Sequence, residues 1–377
     1  METGGIMIDE KSAEYYGRVE GEFGEKLRGG IRTLNGQPAF AFNERKDCIF
    51  LNDKKLCEIY RNLGPEALCE TCRSYPRMMY DAGDITFCYL TNSCPEVNRM
   101  IMQKKESVKT LFDDSDEAED SDIPDFERQQ FDHATRALLT SMHILENRDI
   151  RLRDRMILLL LFINRFQEII MADGNPTDII GIFSAPEVYT MFLENNPVKE
   201  SDVVVKIHVF MHIFSSILTG SYDHQMWART VKLADRISDG RIKDIDKLRD
   251  AFSRINSESI EHELEQLMIY RFFAVFMQGF ANNDYYEKLV YEYAMYVGLI
   301  TYIALNEFEY GCECSQEDRI LFYSLCSRID HTYTQKQKLI EELKKDGMYK
   351  LDEVIFLTSR IFNPQRVGTQ KLECRKY

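Results

Sequence analysis

The 377-residue sequence contains no glycine-rich phosphate grip: it has neither a Gly-x-Gly-x-x-Gly after a strand-like run nor a Walker lysine loop. The Cys-x-x-x-Cys-x-x-Cys triplet of radical chemistry is missing as well. The common nucleotide and cofactor grips are thereby excluded. Long apolar runs are also lacking, since the longest, Met156 to Ile163, is far too short to span a bilayer. The first residues show no basic stretch followed by an apolar core, so no secretory leader is expected and a cytoplasmic location is. Basic charge is in deficit: 47 Lys and Arg stand against 62 Asp and Glu, for a net charge of -15. That balance argues against a broad nucleic-acid or anionic-membrane surface, while leaving room for a lysine-bearing partner.

Cysteine, by contrast, is concentrated. Six of the ten lie between Cys48 and Cys94, namely Cys48, Cys57, Cys69, Cys72, Cys88 and Cys94. Three explanations compete: a disulfide framework, a metal or iron–sulfur site, and buried free thiols. Disulfide-dense scaffolds are short secreted chains, whereas this length buries sizeable cores without staples. A reduced compartment favours metal over disulfide. Cys69-Glu-Thr-Cys72 places two sulfurs at i, i+3 on one helical face, as a two-thiolate clamp requires. With Cys48, Cys57 and Cys94 the expected ligand set is complete, and the spacing accepts zinc or iron–sulfur equally. A redox dithiol at Cys69 and Cys72 is the weaker reading, because such pairs follow a strand in an α/β pattern.

The chain reads as mainly α. Asp9 to about Gly29 has the spacing of one amphipathic helix, and Pro38 to Phe42 that of a short strand. Lys55 to Leu63 predicts a short helix closed by Gly64, with Pro65 opening the next turn. Arg77 to Leu90 reads as a hairpin, and Pro95 opens a helix through Met102 that places Cys94 at its N-terminus. Asp113 to Asp125 is an acidic run whose like charges repel. Ten helices are expected beyond it: Phe126–Glu146, Leu152–Met171, Asp178–Leu193, Asp202–Leu218, His224–Ile237, Asp244–Gln278, Tyr285–Glu307, Gln316–Arg328, Gln335–Lys345 and Asp352–Phe362. The expected organisation is a small cysteine-rich metal-binding unit with a β-hairpin over residues 1–110, an acidic linker over 111–125, and a large helical domain over 126–377.

Other motifs favour the simpler reading. His208 and His212 stand at i, i+4, but no Glu follows His208, so the metalloprotease pattern His-Glu-x-x-His is absent and a polar helix stripe explains the pair. Cys312, Cys314, Cys326 and Cys374 are too scattered for a second site. Trp227 and the tyrosines from Tyr285 to Tyr302 are expected in the core, although aromatics there also suit a pocket for an adenine or a lysine side chain.

Cys48-Ile-Phe-Leu51, the run from Gly64 through Leu68-Cys-Glu-Thr-Cys-Arg-Ser-Tyr-Pro-Arg77, and Ser93-Cys-Pro-Glu96 follow the Tyr, Gly and Phe pattern of Tyr15 to Gly30. Together these motifs resemble the flagellin lysine-N-methylase family over roughly residues 7–100, and the long helical remainder suits it. The resemblance implies a cytoplasmic, S-adenosylmethionine-dependent enzyme that methylates lysine ε-amines of flagellin and carries a cysteine-bound iron–sulfur cluster, of 4Fe-4S type, with zinc as the alternative metal. It also implies a further cysteine-bearing segment ahead of the region matching Gly4 to Glu10. Neither the catalytic residues nor those that bind S-adenosylmethionine can be picked out from the sequence. The reading from a different class is a non-enzymatic zinc- or iron–sulfur-binding interaction module, or a remnant of the enzyme.

Overall fold

The computed structural model describes residues 5–34, 36–43, 47–54, 56–82, 85–106, 125–195, 247, 250–252, 258–280, 282–311, 314–328 and 333–361. The acidic run before Asp125, the expected helices Asp202–Leu218 and His224–Ile237, and His208, His212, Trp227, Cys312 and Cys374 lie outside them. The described chain is mainly helical, with two small sheets. It divides into two compact units after Met78.

In the first unit β1 (Gly5–Met7), β2 (Ile31–Leu34) and β3 (Gln37–Ala41) form an antiparallel sheet in the order β1-β3-β2. Only β3 is legible in the sequence, because β1 and β2 are too short to show alternation. The single helix expected from Asp9 is two: α1 (Glu10–Arg18) and α2 (Gly21–Gly30). Extended backbone at Val19 and Glu20 and a left-handed Gly21 (φ 78°) separate them. A Cβ on Gly24 would stand 1.9 Å from the Val19 carbonyl oxygen, so that glycine serves the close turn rather than weakening a continuous helix. Downstream come α3 (Glu58–Leu63), a 3₁₀ turn at Pro65–Ala67 and α4 (Glu70–Ser74). Tyr16, Leu27, Phe40 and Phe50 form the core.

The second unit begins within β4 (Arg77–Ala82), whose hairpin with β5 (Ile85–Leu90) precedes α5 (Pro95–Met102). Phe87, Val97, Ile101 and Met102 belong to the helical core, so hairpin and α5 pack with the helices although the sequence groups them with the cysteine segment. The helices are α6 (Asp125–Glu146), α7 (Leu152–Met171), α8 (Thr177–Phe183), α9 (Tyr189–Asn195), α10 (Glu258–Phe276), α11 (Tyr285–Tyr310), α12 (Gln316–Ser327), α13 (Tyr333–Lys345) and α14 (Leu351–Ile361). The helix expected over Asp178–Leu193 is broken in two, with a 3₁₀ turn at Pro186–Val188 between the halves. Apolar almost all round, α11 is the central helix, packed by α7, α10, α12, α13 and α14.

Buried ion pairs fasten α10 to three neighbours. Glu263 pairs with Arg319 of α12 at 2.8 Å, Glu265 with Arg155 of α7 at 2.7 Å, and Arg271 with Glu292 of α11 at 2.5 Å. Such pairs contribute less to net stability than to one choice of helix register, since alternatives would strand a charge in the core.

Candidate functional site

Four thiols pack on one core in the first unit, where the chain folds back on itself around Phe50. Isolated bridges join Phe42 to Cys48 and Leu51 to Cys57, and the Glu58 amide donates to the Phe50 carbonyl at 2.8 Å. These contacts fold the segments carrying Cys48 and Cys57 onto the backbone flanking the buried Phe50. Gly30 allows the approach, since a Cβ there would stand 2.6 Å from the Phe50 ring and 2.7 Å from Ile49. Beyond α3, Gly64 (φ 85°) turns the chain into Pro65–Ala67, and Cys69 becomes the N-cap of α4 with Cys72 one turn on. Tyr16 anchors this turn by donating its hydroxyl to the Ala67 carbonyl at 2.6 Å. Cys48, Cys57 and Cys72 are partly buried against the core of which Cys69 is a fully buried member.

These thiols influence one another electrostatically. A hydrogen bond from Cys72 pulls the Cys69 thiol down to about 7, and the same bond, with burial, pushes Cys72 up. Charge on Cys48 and Cys57 raises Cys72 further. Burial pushes the Cys48 thiol up, with smaller contributions from Cys57 and Cys69. Negative charge on neighbouring sulfurs therefore opposes ionisation of Cys48 and Cys72, an opposition that a bound cation would relieve while releasing protons. When protonated, Cys69 donates weakly to the Met7 carbonyl at 3.8 Å.

Asp9 completes the cradle. Its Oδ1 accepts the Ser12 amide at 2.8 Å and so caps α1, while its Oδ2 accepts the Glu70 amide at 2.8 Å at the start of α4. The Glu70 amide is the main cause that holds the Asp9 carboxyl below its ordinary value.

Among the described residues no group of three or more His, Cys, Asp and Glu side chains forms a preformed ion cage. The donor set nonetheless fits a thiolate-ligated centre in its chemistry: four soft sulfurs share one core and respond to one another's charge.

Cys94 and Cys88 belong to the second unit. Cys88 is exposed on β5; Cys94 is the N-cap of α5, as expected, and packs against the helical core. The turn before it rests on a buried polar network. Asn92 donates to the side-chain oxygen of Asn98 at 2.6 Å, and Asn98 returns bonds to the Asn92 carbonyl and to Ser324, both at 2.8 Å. Arg271 reaches Asn92 at 3.4 Å and grips Glu292 with two nitrogens. The Tyr270 hydroxyl donates to the Leu90 carbonyl and accepts the Leu90 amide, each at 2.6 Å, standing in for a strand neighbour. Tyr296 lies fully buried beside Glu292, and burial drives its hydroxyl well above the ordinary phenol range. Sequence reasoning passed over Asn92, Asn98, Arg271 and Glu292. A signal was present: opposite charges embedded in the apolar runs Met268–Phe273 and Leu289–Ala294 imply a buried pair.

Residues 139–357, from α6 to α14, match the family model described as the FliB lysine N-methylase C-terminal domain. A stretch of 62 residues is 31% identical to the flagellar biosynthetic protein FliU of Salmonella muenchen, taking in 16% of this chain and 37% of that relative's length. No solved structure matches.

Proposed function

The chain belongs to the FliB lysine N-methylase C-terminal domain family, and on that premise we propose that it transfers methyl groups from S-adenosylmethionine to lysine side chains of flagellin in the cytoplasm. The match over residues 139–357 carries this reading, since it takes in most of the helical unit. Methyl transfer needs a neutral amine in line with the sulfonium methyl, in a site that excludes water and gives the amine proton somewhere to go. The negative balance of the chain suits a lysine-bearing partner.

Cys48, Cys57, Cys69 and Cys72 are the residues that would hold the iron–sulfur cluster or zinc ion. Bound there, it would cross-link the Cys48 loop with the starts of α3 and α4. Asp9 and Tyr16 orient the last of these segments, and Phe50 supplies the apolar floor.

One observation favours a second reading, a metal-bearing interaction module for flagellar proteins without transferase activity: the four thiols lie outside the matched residues 139–357. Incubating the purified full chain with flagellin and methyl-labelled S-adenosylmethionine separates the two. Label on flagellin lysines, located by peptide mass, is the expected result. An anaerobically prepared, metal-loaded chain that binds flagellin yet transfers no label would sink the transferase.

A further inference from the structure

We propose that Asp9 is a positioning residue for the four-thiol centre, holding the Cys69–Cys72 turn in place through the Glu70 amide. The inference rests on the reading that these thiols bind a metal. A helix start leaves amide N–H groups without intrahelical partners, and the N-cap side chain ordinarily accepts one of them. Cys69 occupies the N-cap of α4, and the first amide of that helix, Glu70, donates to Asp9, 61 residues earlier, whose Oδ2 receives it at 2.8 Å. The backbone that carries Cys69 and Cys72 is thereby tied to the start of α1.

The carboxylate is divided between two helices, because Oδ1 is already committed to Ser12 at the start of α1. Both oxygens are in use. A side chain with a single acceptor satisfies one helix or the other, and asparagine would turn an N–H toward one of the two amides. The thiol of Cys69 contacts the Met7 carbonyl, two residues before Asp9, so the β1–α1 corner holds both the backbone and the sulfur of this ligand. Partners of this kind, which orient a ligand without touching the metal, typically govern metal affinity by about 10- to 100-fold.

Two substitutions in the full-length protein cut this link at opposite ends. Asp9→Ser keeps an N-cap for α1, since serine caps about as well as aspartate, but its short side chain leaves Glu70 without the acceptor. Glu70→Pro removes the donated N–H while leaving Asp9 and its own cap untouched. Proline is favoured at the first helical position, and the extended Cys69 backbone (φ -63°, ψ 162°) tolerates a following proline. Each protein is stripped of metal and titrated with cobalt(II) alone, whose sulfur-to-metal charge-transfer absorption reports bound thiolates, in competition with a chelator. Wild type should show the band, and both variants should bind about 10- to 100-fold more weakly with unchanged far-ultraviolet helicity. Wild-type affinity in either variant overturns the role given to Asp9. Absence of the band in wild type overturns the metal reading itself, and the inference with it.

Discussion

Arg271 and Glu292 meet side by side in the interior of the helical unit, with Nε to Oε2 at 2.9 Å and Nη2 to Oε1 at 2.5 Å. Both side chains are almost wholly removed from solvent. Two charges in that setting are acceptable only together, and the third nitrogen of the guanidinium extends the pair to Asn92 in the turn that carries Cys94.

Removing one partner should therefore cost far more than removing both. Glu292→Ala leaves a buried guanidinium uncompensated and is expected to destabilise the protein by about 3–5 kcal/mol. Replacing both, as Arg271→Met with Glu292→Leu, should recover most of that loss. Thermal melting of the two single variants and the double variant measures this coupling, and equal losses for single and double variants would contradict it.

Glu265 gives the helical unit an acid sensitivity. Burial opposes ionisation of its carboxyl, but the guanidiniums of Arg148 and Arg155 outweigh it and hold the folded-state value below the ordinary 4.5. A carboxylate lowered in the folded state contributes stability above its unfolded value, and that contribution disappears as pH falls through the lower, folded value. Melting temperature should fall as pH drops below about 4.5, and Glu265→Gln should flatten this part of the profile while lowering stability near neutrality. A profile of unchanged slope in the variant would show that the pair does not titrate with folding.

Gly30→Ala tests the packing that brings Cys48 and Cys57 together. The added methyl would stand 2.6 Å from the buried Phe50 ring and 2.7 Å from the partly buried Ile49, so both side chains would have to shift. A loss of about 1–3 kcal/mol is expected, with faster alkylation of Cys48 and Cys57 in metal-free protein. Gly29→Ala is the control, because nothing lies within 4 Å of its added methyl.

Metal content should divide the front-end cysteines into two classes. Serine at Cys48, Cys57, Cys69 or Cys72 should each lower iron or zinc stoichiometry after anaerobic purification. Serine at Cys88 or Cys94 should leave it at the wild-type value, since Cys88 is exposed and Cys94 packs against the helical core. Elemental analysis reads the outcome directly, and loss of metal in Cys94→Ser would return that residue to the ligand set.

Where local chemistry decided the structure, the sequence was readable. The Pro95–Met102 and Leu152–Met171 helices begin and end where expected, because proline at a first turn and an unbroken apolar period leave few alternatives. Gly64 with Pro65 marked the turn ahead of Cys69 for the same reason. The break between α1 and α2 escaped, because the apolar spacing runs straight through Val19 and only a left-handed Gly21 interrupts it. Strands β1 and β2 escaped because their partner β3 completes them from elsewhere in the chain.

The sequence by itself determined that the chain is mainly helical, that thiols crowd between Cys48 and Cys94, and that its motifs resemble those of the flagellin lysine methylases. These are properties of composition and short spacing, which act before any chain folds. Which sulfurs share a core was decided only by tertiary structure, as were the sharing of Asp9 between two helix starts and the meeting of Arg271 with Glu292. Such contacts join residues tens to hundreds of positions apart, and the geometry that unites them exists only once the apolar faces have packed.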